Sequence, residues 1–203
     1  MKSTRLFLIS LVFLLGCATP KSIRRIDFSH GGVNLHIPDV AWDPKKADLE
    51  AGWCGEACIQ MALAYYGRHV PQDHIHRGGH PSTSDLEADD MDRALRNSGL
   101  LFRRYSGKPN DLEAFLTWIQ KELRVGRPVI CGCKIYPTDH PDWDLDHFVL
   151  VTGYNSKGLL LNTQLDCDGQ LLVIYKQLDS LNPGYSFKNP GNEYWGRVIT
   201  GIR

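Results

Sequence analysis

Residues 147–164 read HFVLVTGYNSKGLLLNTQ, two apolar runs on either side of Asn-Ser-Lys-Gly. A short polar turn with a glycine between two β-prone runs closes a hairpin, so the two strands it joins are antiparallel. With all four residues in the loop, Tyr154 pairs with Leu159. Side chains alternate along a strand with a period of two, so the remaining pairs follow by counting. Val151 faces Asn162 and His147 faces Asp166. Asn162, Gln164 and Asp166 then share the face of His147, while Thr163 points away. A slip of one residue reverses those faces.

The segments around the hairpin set the fold class. From Cys54 the apolar side chains recur at Cys58, Met61, Ala62 and Tyr65, one face of a helix, with Gly67 placed to end it. Residues 68–84 hold four histidines with Pro and Gly and read mainly as loop. Ser84 or Asp85 can cap a helix running to Gly99, and Asp111 can cap another ending at Gly126. Strands are predicted at VNLHIPDV (residues 33–40), at LLFRRY, at PVICGCKIY after Arg127, within DGQLLVIYKQL and within EYWGRVITGIR. Helices come first and strands later, which argues an α+β domain with an antiparallel sheet.

Cys54 opens the first helix after a Gly-Trp pair. Unpaired amides and the macrodipole at a helix N-terminus favour a thiolate, the reactive form of cysteine. Free cysteines are also among the most buried residues, and Cys54 lies on the apolar face, so position alone leaves both a nucleophile and a core thiol open. A cysteine nucleophile needs a histidine brought close in space. His147, at the mouth of an apolar strand, is the placed candidate, and Asp146 beside it would raise its pKa. A third group should hold the imidazole. Asn162 is the first choice from the hairpin count, with Thr163 and Asp166 as alternatives. His74, His76 and His80 have a spacing a metal could use, although loop histidines are usually solvated. Cys131-Gly-Cys133 lacks the second ligand pair of a zinc site. The reaction expected of these residues requires no metal or organic cofactor.

WCGEACIQMALAYYG, then VGRPVICGCKIY, then DHFVLVTGYNSKGLLLNTQ, in this order, resembles the papain-like peptidase family of bacteriocin-leader processing. That family includes the peptidase domain of double-glycine-leader exporters and stand-alone or lipoprotein relatives. The resemblance runs over about residues 35–170. It implies a papain-like fold, Cys54 as nucleophile, His147 as base and a peptide or protein substrate. This chain departs from the family's pattern in three places. No Gln lies between residues 18 and 54, where the family has an oxyanion donor, so the Cys54 backbone N–H is left for that task, with the Trp42 indole or another amide as the candidate replacement for the missing donor. The hairpin ends Asn162-Thr163-Gln164 where the family has Asn-Asp-Pro. The nucleophile is followed by Gly55-Glu56-Ala57, not Gly-Pro-Ala, and an acidic residue suits a first helical turn. Two rival readings stay open on the same scaffold: a cell-wall amidase or transpeptidase, and a pseudopeptidase that binds peptides or an envelope partner.

The start of the chain answers where it works. Lys2 and Arg5 precede an apolar run from Leu6 to Leu15, too short to span a bilayer. Leu14-Leu15-Gly16-Cys17 resembles a bacterial lipobox, which implies cleavage before Cys17 and lipidation there. Lipid on Cys17 would tie the protein to a membrane of the bacterial cell envelope; Ala18 in the next position favours the outer membrane in a Gram-negative host. The organisation expected is a signal peptide at 1–16, a tether at 17–32 and one domain at 33–203. Of 23 basic residues, Lys2 and Arg5 leave with the leader, so 21 face 23 acidic ones. That balance shows no clustered basic footprint for nucleic acid. With Cys17 lipidated, five of the six cysteines remain, an odd number that leaves at least one thiol unpaired; two disulfides and one free thiol would fit it.

Overall fold

A computed structural model describes residues 26–28, 31–42, 52–82, 84–135, 145–165, 169–180, 184–187 and 193–203. Cys17, Asp166, Cys167 and the expected signal peptide lie outside them. Among the described residues one sheet contains eight strands: β1 (Gly32–Asn34), β2 (Leu100–Arg104), β3 (Val129–Ile135), β4 (Leu145–Asn155), β5 (Gly158–Asn162), β6 (Gln170–Ile174), β7 (Tyr185–Ser186) and β8 (Gly196–Ile202). Six of them run in the order β2-β8-β3-β4-β5-β6, with β1 paired to β4 and β7 to β3, and every pairing is antiparallel. The helices are α1 (Cys54–Tyr65), α2 (Gln72–Gly79), α3 (Ala88–Asn97), α4 (Leu112–Arg124) and α5 (Tyr175–Leu178). The α+β class expected from the order of the periodicities is the one found.

Both faces of the sheet are covered, which is why its central strands read as continuous apolar runs. Val129, Cys131, Val149, Val151 and Val198 pack with Phe115, Ile119 and Leu123 of α4. The alternate residues Ile130, Leu150 and Ile199 pack with Cys58, Met61 and Leu63 of α1 and Leu95 of α3. The helix ends follow local chemistry. The Asp111 side chain accepts from the Ala114 N–H at 2.9 Å and starts α4. At the end of α1 the Arg68 N–H bonds the Leu63 carbonyl and the Gly67 N–H bonds that of Ala64, with Gly67 at φ +80. This paired closure needs a left-handed residue, and glycine adopts it without strain.

Three predicted elements differ. The strand expected over residues 33–40 stops at Asn34, because the Asn34 side chain accepts the His36 N–H at 2.8 Å and His36 turns to φ +55. The histidine-rich segment forms α2, an eight-residue helix, where a loop was expected. The helix after Ser84 begins later, at Ala88.

Asp92 of α3, almost fully buried, pairs with Arg197 of β8 at 2.5 Å and with Arg104 of β2. Arg197 also lies over the Trp195 ring, 4.1 Å from its centroid. This network fastens α3 to the sheet edge. Removing one partner of a buried ion pair leaves the other charge without compensation. Asp92→Ala is therefore expected to lose about 3–5 kcal/mol in urea unfolding, with Arg197 left buried.

Candidate active site

The hairpin carries a β-bulge. Tyr154 pairs with Leu159 as counted, but Val151 meets Leu161 and Leu150 meets Asn162, with the shift between Val151 and Gly153. One extra residue on β4 slips the register, so the pairing of Val151 with Asn162 does not occur. Thr152 is the residue passed over. Its carbonyl accepts from Leu35 N–H at 2.9 Å, and β1 follows by pairing with residues 153–155 of β4.

The slip decides which groups reach His147. Asn162 is turned into the core on the α1 side. Its Nδ2 donates to the Ile37 carbonyl at 3.0 Å and toward Met61 Sδ at 3.3 Å, and its Oδ1 accepts from Gln170 Nε2 at 2.6 Å. Asn162 therefore makes no hydrogen bond to His147 in this structure. Thr163 takes that place through its backbone: His147 Nε2 lies 2.8 Å from the Thr163 carbonyl. A carbonyl only accepts, so Nε2 carries the proton and Nδ1 holds the lone pair. The Thr163 hydroxyl is occupied elsewhere, with the Gly169 carbonyl.

Cys54 arrives from the other side of β4. The Gly132 N–H points to the Trp195 carbonyl, so its partner Phe148 directs its own N–H away from β3. That N–H meets Cys54 Sγ at 3.4 Å. Cys54 and His147 line one cavity of about 530 Å³, walled by Trp42, Phe148 and Trp195. They do not hydrogen-bond each other at rest. Apo enzymes often hold such pairs apart until substrate binds.

Burial dominates the electrostatics. The Cys54 thiol is pushed up to about 12 by desolvation, against which the Phe148 and Gly55 amides work in the opposite sense. His147 is lowered to about 4, again by desolvation, despite the Thr163 carbonyl and the Gln164 side chain. Asp146, expected to raise it, is 87% exposed and pairs with Lys134 at 3.1 Å. The resting pair is therefore thiol and neutral imidazole. Asp85, Glu87 and Asp146 line the cavity, and no Lys or Arg among the described residues does.

The oxyanion donors differ from expectation. The Cys54 N–H already donates to the Gly52 carbonyl at 2.8 Å, so it serves a substrate only if that tight turn opens. Trp42 packs its six-membered ring on Gly52, where an added Cβ would approach to 2.6 Å, and stands edge-on to His147 at 5.9 Å between centroids. Trp42 is thus a wall of the cleft, whereas Trp53 packs: it stacks on His76 and donates to the Ser84 carbonyl at 2.7 Å.

Glu56 stands in the first turn of α1, where an acidic residue was expected to suit, and it is fully buried. Its Oε1 bonds His76 Nδ1 at 2.8 Å, its Oε2 has no hydrogen-bond partner, and desolvation raises its pKa to about 7. One ring nitrogen of His76 is thereby taken up by Glu56. Cys54, Cys58, Cys131 and Cys133 are each free, so the two-disulfide arithmetic is not met among the described residues.

A thiol at the start of the first long helix, set against an imidazole at the mouth of a central antiparallel strand, defines a cysteine-peptidase-type domain of papain-like fold. Residues 35–164 match the Peptidase_C39 like family, and the chain belongs to it. The structure is similar to the peptidase domain of Streptococcus ComA, a bifunctional ABC transporter involved in quorum sensing (13% identity, 81% of this chain and 97% of that one, TM-score 0.52). It is also similar to a C39-like peptidase from Bacillus anthracis (11% identity, 84% and 98%, TM-score 0.52). A third likeness is to xylellain, a cysteine protease from Xylella fastidiosa (12% identity, 85% and 86%, TM-score 0.50). At these identities the likeness is one of fold. Curated protein sequences show no match.

The two perturbed groups pull stability in opposite directions. His147, lowered from 6.5 to about 4, contributes stability present above 6.5 and lost as pH falls toward 4. Glu56, raised from 4.5 to about 7, contributes stability present below 4.5 and lost as pH rises toward 7. Urea midpoints from pH 4 to 8 should separate them. Relative to wild type, His147→Ala should gain relative stability on acidification from 6.5 to 4, and Glu56→Gln should gain it as pH rises from 4.5 to 7.

Proposed function

We propose that this protein is a lipid-anchored envelope cysteine peptidase that hydrolyses peptide bonds through Cys54 and His147. The observation that carries the reading is the shared cavity, with Cys54 Sγ held by the Phe148 N–H on one side and the His147 tautomer set by the Thr163 carbonyl on the other. With Nε2 protonated, Nδ1 is the lone pair available to the cleft. It takes the thiol proton as Sγ attacks the peptide carbonyl carbon, and it returns that proton to the leaving amine. The acyl-enzyme is then released by water, activated by the same Nδ1. Because both groups are neutral at rest, proton transfer accompanies attack and does not precede it. Opening of the Gly52 turn would free the Cys54 N–H for the developing oxyanion.

The export and anchoring rest on the leader pattern ending Leu14-Leu15-Gly16-Cys17. Expressed in a bacterial host, the full chain should partition with membranes and carry a lipid mass increment at its new N-terminus. Cys17→Ser should abolish both, and a soluble Cys17→Ser product would leave the anchor on Cys17. An unlipidated wild-type chain would remove this part of the reading.

A second reading has its own support. The Cys54 thiol pushed up to about 12, His147 lowered to about 4, and the Cys54 N–H committed to Gly52 also describe a catalytically silent domain that binds peptides in the cleft. Iodoacetamide alkylation of the soluble chain from Ala18 separates the two. In a peptidase, His147→Ala slows Cys54 alkylation and reduces cleavage of unstructured peptides by roughly a hundredfold or more, the scale of general-base catalysis. Cys54→Ala abolishes the cleavage. In a silent domain, alkylation is slow and indifferent to His147.

A further inference from the structure

Gln164 stands where the chain leaves β5, and its backbone is held at φ +61, a region that residues with a Cβ seldom adopt. Three hydrogen bonds keep it there. The Gln164 N–H donates to Asp39 Oδ1 at 3.1 Å, and Nε2 donates to the Asn162 carbonyl at 2.7 Å and to Cys58 Sγ at 3.2 Å. The Asn162 carbonyl can only accept, so the nitrogen end of the amide is identified and the oxygen end faces the opposite way. That oxygen belongs to a residue only 1% exposed, and among the described residues no donor meets it in full hydrogen-bond geometry, the nearby His147 ring included. Leaving a buried acceptor unpaired is unfavourable, so a group that pairs with it in another state is to be sought nearby. His147 is that neighbour: its Nε2 lies 2.8 Å from the carbonyl of Thr163, the residue before Gln164, and the Gln164 side chain favours the charged form of the ring.

We propose that Gln164 is the positioning residue of the site: its Oε1 shares the His147 Nε2–H with the Thr163 carbonyl when the ring becomes an imidazolium, while Cys58 Sγ and the Asn162 carbonyl keep the amide from flipping. The proposal rests on the cysteine–histidine reading above. A neutral acceptor suits a base that must stay unprotonated at rest, since a carboxylate in the same place would hold the ring charged. It also gives Cys58 a task beyond packing, because its sulfur is one of two acceptors that fix the amide. The other titratable groups around the ring are Cys54 on α1, Cys133 opposite it on β3 and Asp146 with Lys134 at the strand mouth. None of them hydrogen-bonds the imidazole.

The test uses the soluble chain from Ala18, labelled with carbon-13 and nitrogen-15. In the unmutated protein the Gln164 side-chain carbonyl resonance should move with the same midpoint as the His147 ring. Gln164→Glu should raise the His147 midpoint by at least one pH unit. Gln164→Leu should lower it, and Cys58→Ala should lower it less. In parallel, iodoacetamide alkylation of Cys54 near neutral pH should slow several-fold in Gln164→Leu. A Gln164 resonance blind to the His147 titration overturns the proposal, whether or not the variants fold. So does an unchanged His147 midpoint in a folded Gln164→Glu. If Gln164 tracks His147 while Cys54 alkylation ignores His147→Ala, the contact stands and the peptidase reading falls.

Discussion

Strand β4 carries the bulge at Thr152, and the arrangement of the site depends on it. Beyond the bulge, residues 153–155 pair with β1; before it, residues 145–151 pair with β3. On its other edge β4 loses β5 at Asn162, so the Phe148 N–H finds no strand. An unpaired amide at a strand edge is a donor in search of an acceptor. Here it meets the cysteine at the start of α1. One extra residue thus sets the register of the hairpin, turns Asn162 into the core and leaves the Thr163 carbonyl for the imidazole.

The electrostatic character of the cleft follows from the depth of this arrangement. Cys54 and His147 are both largely removed from water, and each charged form loses hydration that its few hydrogen bonds only partly replace. The acids around them act in the same sense on sulfur. Glu56 and Asp85 both oppose a thiolate, and the helix N-terminus does not overcome burial. A site of this kind holds its proton on sulfur until something else stabilises the charge transferred. That makes the groups behind the imidazole as consequential as those in front of it. The carbonyl of Thr163 sets the tautomer, and the amide of Gln164 is tied by its nitrogen end to Asn162 and to Cys58 of α1. Helix α1 and strand β5 are thereby joined through one side chain.

The amino-acid sequence determined the class of fold, the antiparallel hairpin and most of the helices. These are consequences of periodicity, capping and turn chemistry, which act over a few residues: the Asp111 cap, the glycine closure of α1 at Gly67 and the Tyr154–Leu159 turn pair all occur as read. Tertiary structure decided the rest. The bulge falls where β4 passes from β3 to β1 along one edge, a long-range fact that no count along the hairpin contains. The burial of Glu56, the pairing of the Cys54 N–H with Gly52 and the displacement of Asn162 from His147 depend on what packs above them. Free energies of desolvation and hydrogen-bond geometry belong to the assembled environment and not to the residue type, so Cys54 and His147 could be named as candidates from the chain while their protonation state and partners could not.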